Sequence, residues 1–246
     1  VRLLAFLRYL QHEGYAPNTI RRFYLPTIRR FYKINALEWP LKAWELPQVS
    51  ERDVFAPALS AGIVRRLVDA ALQDTVAPED AALLALSTTY GLRRVEMTAL
   101  RSEDIDPEHH LIHVRTAKGG RSRWHLIPQA IRAVLREGLP LGRSPRQVSK
   151  AFGRLEAAAG IQHIDETGWH AIRRALTRGL VEAGLPEPVI RNFLRWKRSA
   201  DDMLLAYYST TVVGEDGTHV DPGRQDRGVD EQVFARHPFL SLWEDA

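Results

Sequence analysis

The stretch 80–96, DAALLALSTTYGLRRVE, decides how the rest of the sequence is interpreted. Residues 80–90 are mostly apolar, which predicts a buried helix, and Gly91 is the residue type that most readily ends a helix in the left-handed conformation. A new helix is predicted to open with an arginine and a glutamate one turn apart. At this i, i+3 spacing Glu96 can reach back and steady the guanidinium of Arg93. Taken alone, the pair is most simply a surface ion pair.

The sequence around this stretch predicts a mainly α domain with one small antiparallel β-sheet. Two short β-prone runs, 111–114 and 124–127, are separated by glycines that predict a hairpin turn. Amphipathic or capped helical patterns cover about 59–72, 145–160 and 168–184. We therefore expect a larger domain over 58–211.

The first 49 residues predict a separate helical unit. Apolar residues at helical spacing fill 2–13, and a second pattern with interleaved arginines runs from Pro17 to Tyr32. The stretch from Trp39 to Pro57 holds three prolines and little periodicity, which is typical of a connection between domains. We place the linker itself at 50–57.

Residues 212–246 form a C-terminal tail of mixed composition. A segment with glycine, aspartate and arginine is followed by an aromatic end that contains Phe234, Phe239 and Trp243. This end is predicted either to cap its own core or to dock on a neighbouring protomer.

Composition narrows the class of protein. The 246 residues include no cysteine, which excludes disulfides and thiolate metal sites. Thirty-four Lys and Arg stand against 30 Asp and Glu, and several arginines come in pairs that suit phosphate contacts or, more simply, solvated helix faces. No stretch approaches the roughly 18 to 20 apolar residues of a membrane helix. We expect a cytoplasmic protein that is neither secreted nor inserted in a membrane.

Three further features of the chain carry polar or aromatic groups that are each, taken singly, most often structural. A lysine on a loop is usually exposed to solvent. A histidine near the start of a helix usually has a structural role, and aromatic residues at helical spacing usually pack in the core. These features are Lys118 at the hairpin tip, His170 and Arg173 on one face of a helix, and Trp196 followed by Tyr207 and Tyr208.

In their order along the chain, these residues resemble the catalytic domain of tyrosine recombinases, the phage integrase family, over roughly residues 55–211. That family has a Gly-Leu-Arg-x-x-Glu box, a hairpin Lys, a His-x-x-Arg box, a His or Trp, and then a Tyr. The matching positions are Arg93, Lys118, His170 with Arg173, Trp196 and Tyr207. The segment 14–20 also looks like the start of the second helix of the family's core-binding domain. The resemblance implies a tyrosine-recombinase catalytic domain over 58–211, preceded by a short, SAM-like helical core-binding domain over 1–49.

The resemblance implies a site-specific DNA recombinase or integrase that needs no metal and no cofactor. Negative charge builds on the non-bridging oxygens when a phosphodiester is attacked, and fixed guanidinium groups can neutralise it in place of a metal. Arg93 and Arg173 would fill that role, with Glu96 as support. His170 would act as a base or as a hydrogen-bond donor to the phosphate.

The family's nucleophile is a tyrosine, which leaves a covalent 3′-phosphotyrosyl intermediate. The matching residue is Tyr207, with Tyr208 as the alternative. Lys118 would protonate the 5′-oxygen that leaves, and Trp196 would donate its indole N–H or buttress the tyrosine helix.

The expected partner is double-stranded DNA, bound by a homotetramer, with no membrane and no small-molecule substrate. The arginines expected to contact DNA, beyond the catalytic ones, are Arg21, Arg22, Arg94, Arg121 and Arg174.

The sequence departs from the family pattern in three places. The spacing of 11 between Trp196 and Tyr207 is longer than usual, Arg195 and Trp196 replace the common Gly-His, and Arg174 stands where His is frequent. Two alternatives stay open: a recombinase-like DNA-binding protein with lost or restrained catalysis, and an enzyme like the type IB topoisomerases.

Overall fold

The chain divides between Ala56 and Pro57 into two units. The structure, a computed structural model, describes residues 2–48, 57–116, 122–139, 142–163, 168–196, 212–213, 219–220 and 227–244. The expected linker at 50–57 therefore lies outside the described residues, apart from Pro57. Within the described part of the chain, no helix combines the length and the apolar character that a membrane span requires.

The first unit is built from helices that follow the sequence pattern. Helix α1 covers Arg2–His12, and α2 (Pro17–Thr19) continues through a π-helical turn, Ile20–Tyr24, into α3 (Leu25–Ile34). Proline at the start of α2 costs no hydrogen bond, because the first N–H groups of a helix have no partner within it. The two predicted helical patterns are thus confirmed, with the second one longer and locally underwound.

The residues just before the linker belong to the first unit rather than to a loose connection. Leu41 and Leu46 are buried in its core, on either side of a 3₁₀ turn at Ala43–Glu45. Residues 39–48 therefore pack with the first unit, although their sequence is typical of a connection between domains. The stretch has little periodicity because it is irregular and buries isolated leucines. A search for helical patterns does not detect such residues.

The second unit is mainly helical. Its helices are α4 (Ala61–Ala71), α5 (Pro78–Tyr90), α6 (Arg94–Thr98), α7 (Arg132–Gly138), α8 (Pro145–Ala158), α9 (Trp169–Glu182), α10 (Glu187–Phe193) and α11 (Arg227–Phe234). Short 3₁₀ turns occur at Ser102–Asp104, Gln129–Ile131 and Leu240–Trp243.

Helix α5 is the centre of this unit. Every residue from Asp80 to Tyr90 is buried, and the helix packs against α4, α7, α8 and α9. A helix surrounded on all sides needs an apolar sequence without a polar face, which is what residues 80–90 provide. The predicted buried helix is confirmed.

The second unit contains a small antiparallel sheet with the strand order β1 (Ile105–Asp106), β2 (Leu111–Val114) and β3 (Arg123–Leu126). The pairs Leu111–Leu126 and Val114–Arg123 fix the β2–β3 register. This confirms the hairpin with a shift of one residue, whereas the two-residue β1 is too short to leave a periodic pattern. A further strand pair joins β4 (Val212–Val213) to β5 (His219–Val220).

The C-terminal residues 227–244 pack in the core of their own unit. Val233, Phe239 and Trp243 are buried there, and the indole Nε1–H of Trp243 donates to Thr88 Oγ1 on α5 at 3.1 Å. Of the two alternatives predicted for this aromatic end, the described apolar side chains fit the first, because they pack within their own chain, and docking on a neighbouring protomer stays a prediction.

Two helix glycines test how closely this C-terminal segment packs. A Cβ at Gly179 of α9 would lie 2.7 Å from Pro238, whereas a Cβ at Gly153 of α8 would meet nothing within 4 Å. We expect Gly153→Ala to raise the free energy of unfolding by about 0.5–1 kcal/mol through helix propensity. Gly179→Ala should lower it by about 1–3 kcal/mol through overpacking. Urea titration measures both, and equal stabilisation by the two substitutions would show that Pro238 does not pack on α9.

Candidate active site

The turn that follows α5 places the first arginine of the site. Gly91 has φ +59° and ends the helix, while Arg93 is the N-cap residue of α6. A Cβ at Gly91 would lie 3.0 Å from Leu194 Cδ2 and 3.3 Å from Arg173 Cγ. Glycine is needed here twice, because the backbone is left-handed and because two other elements approach it closely.

Glu96 holds Arg93 from the first turn of α6. Its Oε1 accepts from Arg93 Nη1 at 2.6 Å, and its Oε2 accepts from the Arg93 backbone N–H at 2.9 Å. The Glu96 side chain has no exposed surface, whereas that of Arg93 is 18% exposed. A charge-assisted pair of this kind leaves the partly open guanidinium with a fixed position at the surface.

A second arginine, Arg195, contacts the same carboxylate from the interior. Its Nη2 lies 3.3 Å from Glu96 Oε2 and donates to Tyr90 O at 3.1 Å, and its Nη1 donates to Phe193 O at 3.0 Å. The side chain is fully buried and the residue has φ +56°. Sequence reasoning noted Arg195 only as a replacement for the family's glycine and missed its role. The available signal was that a residue type disfavoured at positive φ occupied a glycine position.

The charges of this cluster shift one another's pKa values. Burial by itself raises the pKa of Glu96, but Arg195 and Arg93, together with the hydrogen bonds from Arg93, outweigh it and hold the pKa below its ordinary value. Burial lowers the pKa of Arg195 to about 10, against the attraction of Glu96. Glu96 and Arg195 are therefore both charged at neutral pH.

Arg173 reaches the same region from α9. Its guanidinium donates to the carbonyl oxygens of Gly91 and, at 2.5 Å, of Leu194. Burial and, to a smaller extent, the positive charges of Arg195 and Arg93 together lower its pKa to about 9. The structure thus brings Arg93 and Arg173, which are far apart in the sequence, within electrostatic reach of each other.

A cleft of about 810 Å³ opens beside these arginines between α6, α8 and α9. Arg93 and His170 line it, together with Arg94 and Arg174, so most of its charged side chains are cationic. Arg94 Nη1 donates to Ser149 Oγ at 2.9 Å, and Arg174 Nε donates to Pro57 O at 2.7 Å. Both of these acceptors are neutral oxygen atoms, and the contacts help to direct the two guanidinium groups.

The remaining sequence-predicted residues are placed as follows. Trp196 is half-buried against the core of the second unit, and Arg21 and Arg22 are exposed on the π-helical turn of the first. Lys118, Arg121, Tyr207 and Tyr208 lie outside the described residues. Across the described ranges, no group of three or more His, Asp or Glu side chains could hold a metal ion.

Comparison with known proteins adds a family match. The model of the Phage integrase family matches residues 58–210. A protein of Sinorhizobium fredii named only as a candidate integrase/recombinase, y4gC, is 31% identical over 169 residues, which cover 61% of this chain and 83% of y4gC. Tyrosine recombinase XerC of Pseudomonas putida is 28% identical over 158 residues, which cover 59% of this chain but only 45% of XerC.

Solved structures share the fold at low sequence identity. The Tn1549 transposon integrase in complex with transposon right end DNA has a TM-score of 0.61 at 14% identity, with 85% of this chain and 80% of that chain covered. A lambda integrase dimer bound to a COC′ core site has a TM-score of 0.59 at 18% identity, with 82% and 77% covered. Both likenesses concern the mainly helical fold with its small sheet.

The buried carboxylate allows a matched stability test. We expect Glu96→Gln to lower the free energy of unfolding by about 3–5 kcal/mol, because it leaves the buried Arg195 guanidinium without a counter-charge. The control is Glu187→Gln, which removes an exposed i, i+4 partner of Arg191 at 2.7 Å and should cost less than about 0.5 kcal/mol. Chemical denaturation of both variants provides the comparison. Similar small losses in the two would mean that Glu96 does not balance a buried cation.

Proposed function

This chain belongs to the phage integrase family, and we propose on that basis that it is a site-specific recombinase that cleaves and rejoins DNA. One observation supports this function more than any other. Arg93 and Arg173, from separate parts of the sequence, meet at the Gly91 turn, and Arg93 opens into a cleft lined by further cations. A backbone phosphate of DNA is the anion that such a cleft suits.

The arginines would stabilise the charge of the reacting phosphate. Arg93 is anchored by Glu96 yet partly exposed, so it can contact a non-bridging oxygen without reorganisation. Arg173 is buried and binds two carbonyl oxygens, so it adds positive charge in a region of low dielectric and keeps the Gly91 turn in place. His170, which is exposed at the cleft, would serve as a base or as a hydrogen-bond donor to the phosphate.

The proposed reaction is a transesterification that needs no metal ion. The phenol oxygen of Tyr207 forms a bond to phosphorus, the bond from phosphorus to the 5′-oxygen breaks, and Lys118 gives that oxygen its proton. His170 accepts the phenol proton. Because the 3′-phosphotyrosyl bond conserves the energy of the phosphodiester, a 5′-hydroxyl of a second strand can reverse the step and exchange strands.

The proposal extends to the partner and the assembly. DNA is named in the structures of the Tn1549 and lambda integrases, which share this fold. We propose that double-stranded DNA is bound here by a homotetramer, with the first 49 residues as core-binding domain and 58–211 as catalytic domain. Arg94 and Arg174 at the cleft, the exposed Arg21 and Arg22, and Arg121 would contact phosphates. A cytoplasmic location stays a prediction.

Two competing functions make different predictions. A DNA-binding protein without catalysis would bind the same DNA but form no covalent adduct. An enzyme like the type IB topoisomerases would form the adduct as a monomer and relax supercoils without exchanging strands. The chain has every charged residue that the proposed chemistry requires, which favours catalysis.

A DNA duplex nicked close to the cleavage point traps the covalent intermediate, because the short cleaved strand diffuses away. We expect the full chain to form a protein–DNA adduct that denaturing electrophoresis detects. Tyr207→Phe should abolish the adduct, since the phenol oxygen is the nucleophile, while the matched control Tyr208→Phe keeps it. Light scattering of the protein–DNA complex should give the mass of four chains.

Three outcomes would count against parts of this proposal. Loss of the adduct in Tyr208→Phe alone would reassign the nucleophile to Tyr208. A wild-type chain that binds its DNA site and forms no adduct would support the binding-only function. Adduct formation by a protein that stays monomeric on DNA would favour the topoisomerase-like alternative.

A further inference from the structure

The C-terminal helix α11 carries a buried carboxylate that contacts the sheet. Asp230 Oδ1 accepts from Arg123 Nη2 at 2.9 Å and from His125 Nδ1 at 3.1 Å, and its Oδ2 accepts from the Leu126 backbone N–H at 2.7 Å. Asp230 is 1% exposed. Both carboxylate oxygens are therefore used, and all three donors come from β3.

His125 continues the contact from β3 towards the arginine cluster. Its Nε2 lies 2.8 Å from Arg195 Nη1. An arginine is only a donor, so Nε2 must accept and Nδ1 must carry the proton that Asp230 accepts. This assignment requires a neutral ring, and burial accordingly lowers the pKa of His125 to about 3. Asp230 thus fixes the tautomer in which His125 can accept from Arg195.

Arg195 links this arrangement to the candidate active site. Its second amino group contacts Glu96, which in turn holds the backbone and side chain of Arg93. Successive contacts therefore lead from α11 through β3 and the end of α10 to the cleft. None of Asp230, His125, Arg195 and Glu96 has more than 1% of its surface exposed, so water cannot replace a lost partner along this path.

We propose that Asp230 is a positioning residue for Arg93, and that it acts through His125, Arg195 and Glu96. The inference rests on the proposed function, since Arg93 is the group that would contact the scissile phosphate. The C-terminal helix then does more than fill the core: it determines whether the first arginine of the site is held in place.

Asp230 can act on Glu96 because the guanidinium of Arg195 contacts both His125 and Glu96. The left-handed backbone conformation of Arg195, with φ +56°, is unfavourable for arginine and is maintained by the hydrogen-bond partners of its guanidinium. Without the Asp230 carboxylate, the Nδ1–H of His125 loses its charged acceptor, and the ring is free to take the other tautomer, while Arg123 still donates to Asn192 Oδ1 and Trp124 O. That tautomer carries a proton on Nε2, which faces the Arg195 donor and repels it. Arg195 would then shift and change the position of Glu96.

Asp104 offers a closely matched control. It is also 1% exposed, accepts from Arg115 Nε at 2.8 Å, contacts His113 at 3.4 Å, and accepts the backbone N–H of Arg101 at 3.0 Å. It therefore has the same kinds of partner as Asp230. None of the bonds found for it in the described residues leads to Arg195 or Glu96.

A double-mutant cycle tests the proposal with the nicked DNA substrate. Asp230→Asn should slow adduct formation at least about tenfold in the wild-type background and less than about threefold in the Arg93→Ala background, because the group it positions is then absent. Asp104→Asn should change the rate by the same factor in both backgrounds. Melting temperatures of all variants verify that each is folded at the assay temperature.

Two further measurements keep the test independent of the size of the Arg93→Ala effect. A methylphosphonate at the scissile position lacks the negative charge that Arg93 neutralises, so the slowing by Asp230→Asn should shrink on that substrate. In solution without DNA, Asp230→Asn should shift the Nε–Hε resonance of Arg93, whereas Asp104→Asn should leave it in place.

The outcomes separate this inference from the proposed function. Equal slowing by Asp230→Asn in both backgrounds, or an unmoved Arg93 resonance, would overturn the positioning role even if the wild-type chain forms the adduct. A wild-type chain that forms no adduct would contradict the proposed function, and the Arg93 resonance would still decide whether Asp230 positions that side chain.

Discussion

The buried carboxylate of Glu96 holds two guanidinium groups, one bound to each of its oxygen atoms. Removing a carboxylate from water costs several kcal/mol unless charges and hydrogen bonds compensate. Here the compensation comes from Arg93 on its own helix and from Arg195 at the end of α10. Much of the surrounding local structure serves this pairing: α5 must end at Gly91, α6 must begin at Arg93, and residue 195 must accept a left-handed backbone.

The cluster contains more positive than negative charge. It holds three guanidinium groups, those of Arg93, Arg173 and Arg195, and one carboxylate, that of Glu96, which pairs with Arg93 and Arg195. The lowered pKa values of Arg173 and Arg195 reflect burial and repulsion between the arginines. A bound phosphodiester would add the missing negative charge. The proposed function and the excess positive charge of the cluster thus have one explanation, because the anion that the site would act on is also the one that would relieve the repulsion.

Local sequence patterns predicted the parts of this structure that depend on residues close together in the chain. The buried helix α5, the glycine stop and the Arg93–Glu96 pair all follow from spacing within 17 residues, 80–96. The family resemblance added Arg173 and His170, whose proximity to Arg93 no local pattern shows, and Trp196, which packs against the core. The predictions from local patterns were confirmed where one helix or one turn determines the geometry.

The rest could not be predicted because it depends on contacts between distant segments. Asp230, His125 and Arg195 meet only after α11, β3 and α10 are packed, and each is unremarkable in its own sequence context. Strand β1 has two residues and depends on β2 for its existence, and residues 39–48 are held by single leucines. A charge buried by tertiary packing leaves no periodic signal.

The pKa of Glu96 in the folded protein tests most directly whether its carboxylate is the counter-charge of Arg93 and Arg195. A ¹³C NMR titration of the side-chain carboxyl groups gives its pKa in the folded protein. The account predicts a pKa below the ordinary value of about 4.3, because Arg195 and Arg93 outweigh the cost of burial. A pKa above that value would contradict it, since burial would then dominate and the carboxyl group would not be the counter-charge on which the two arginines depend.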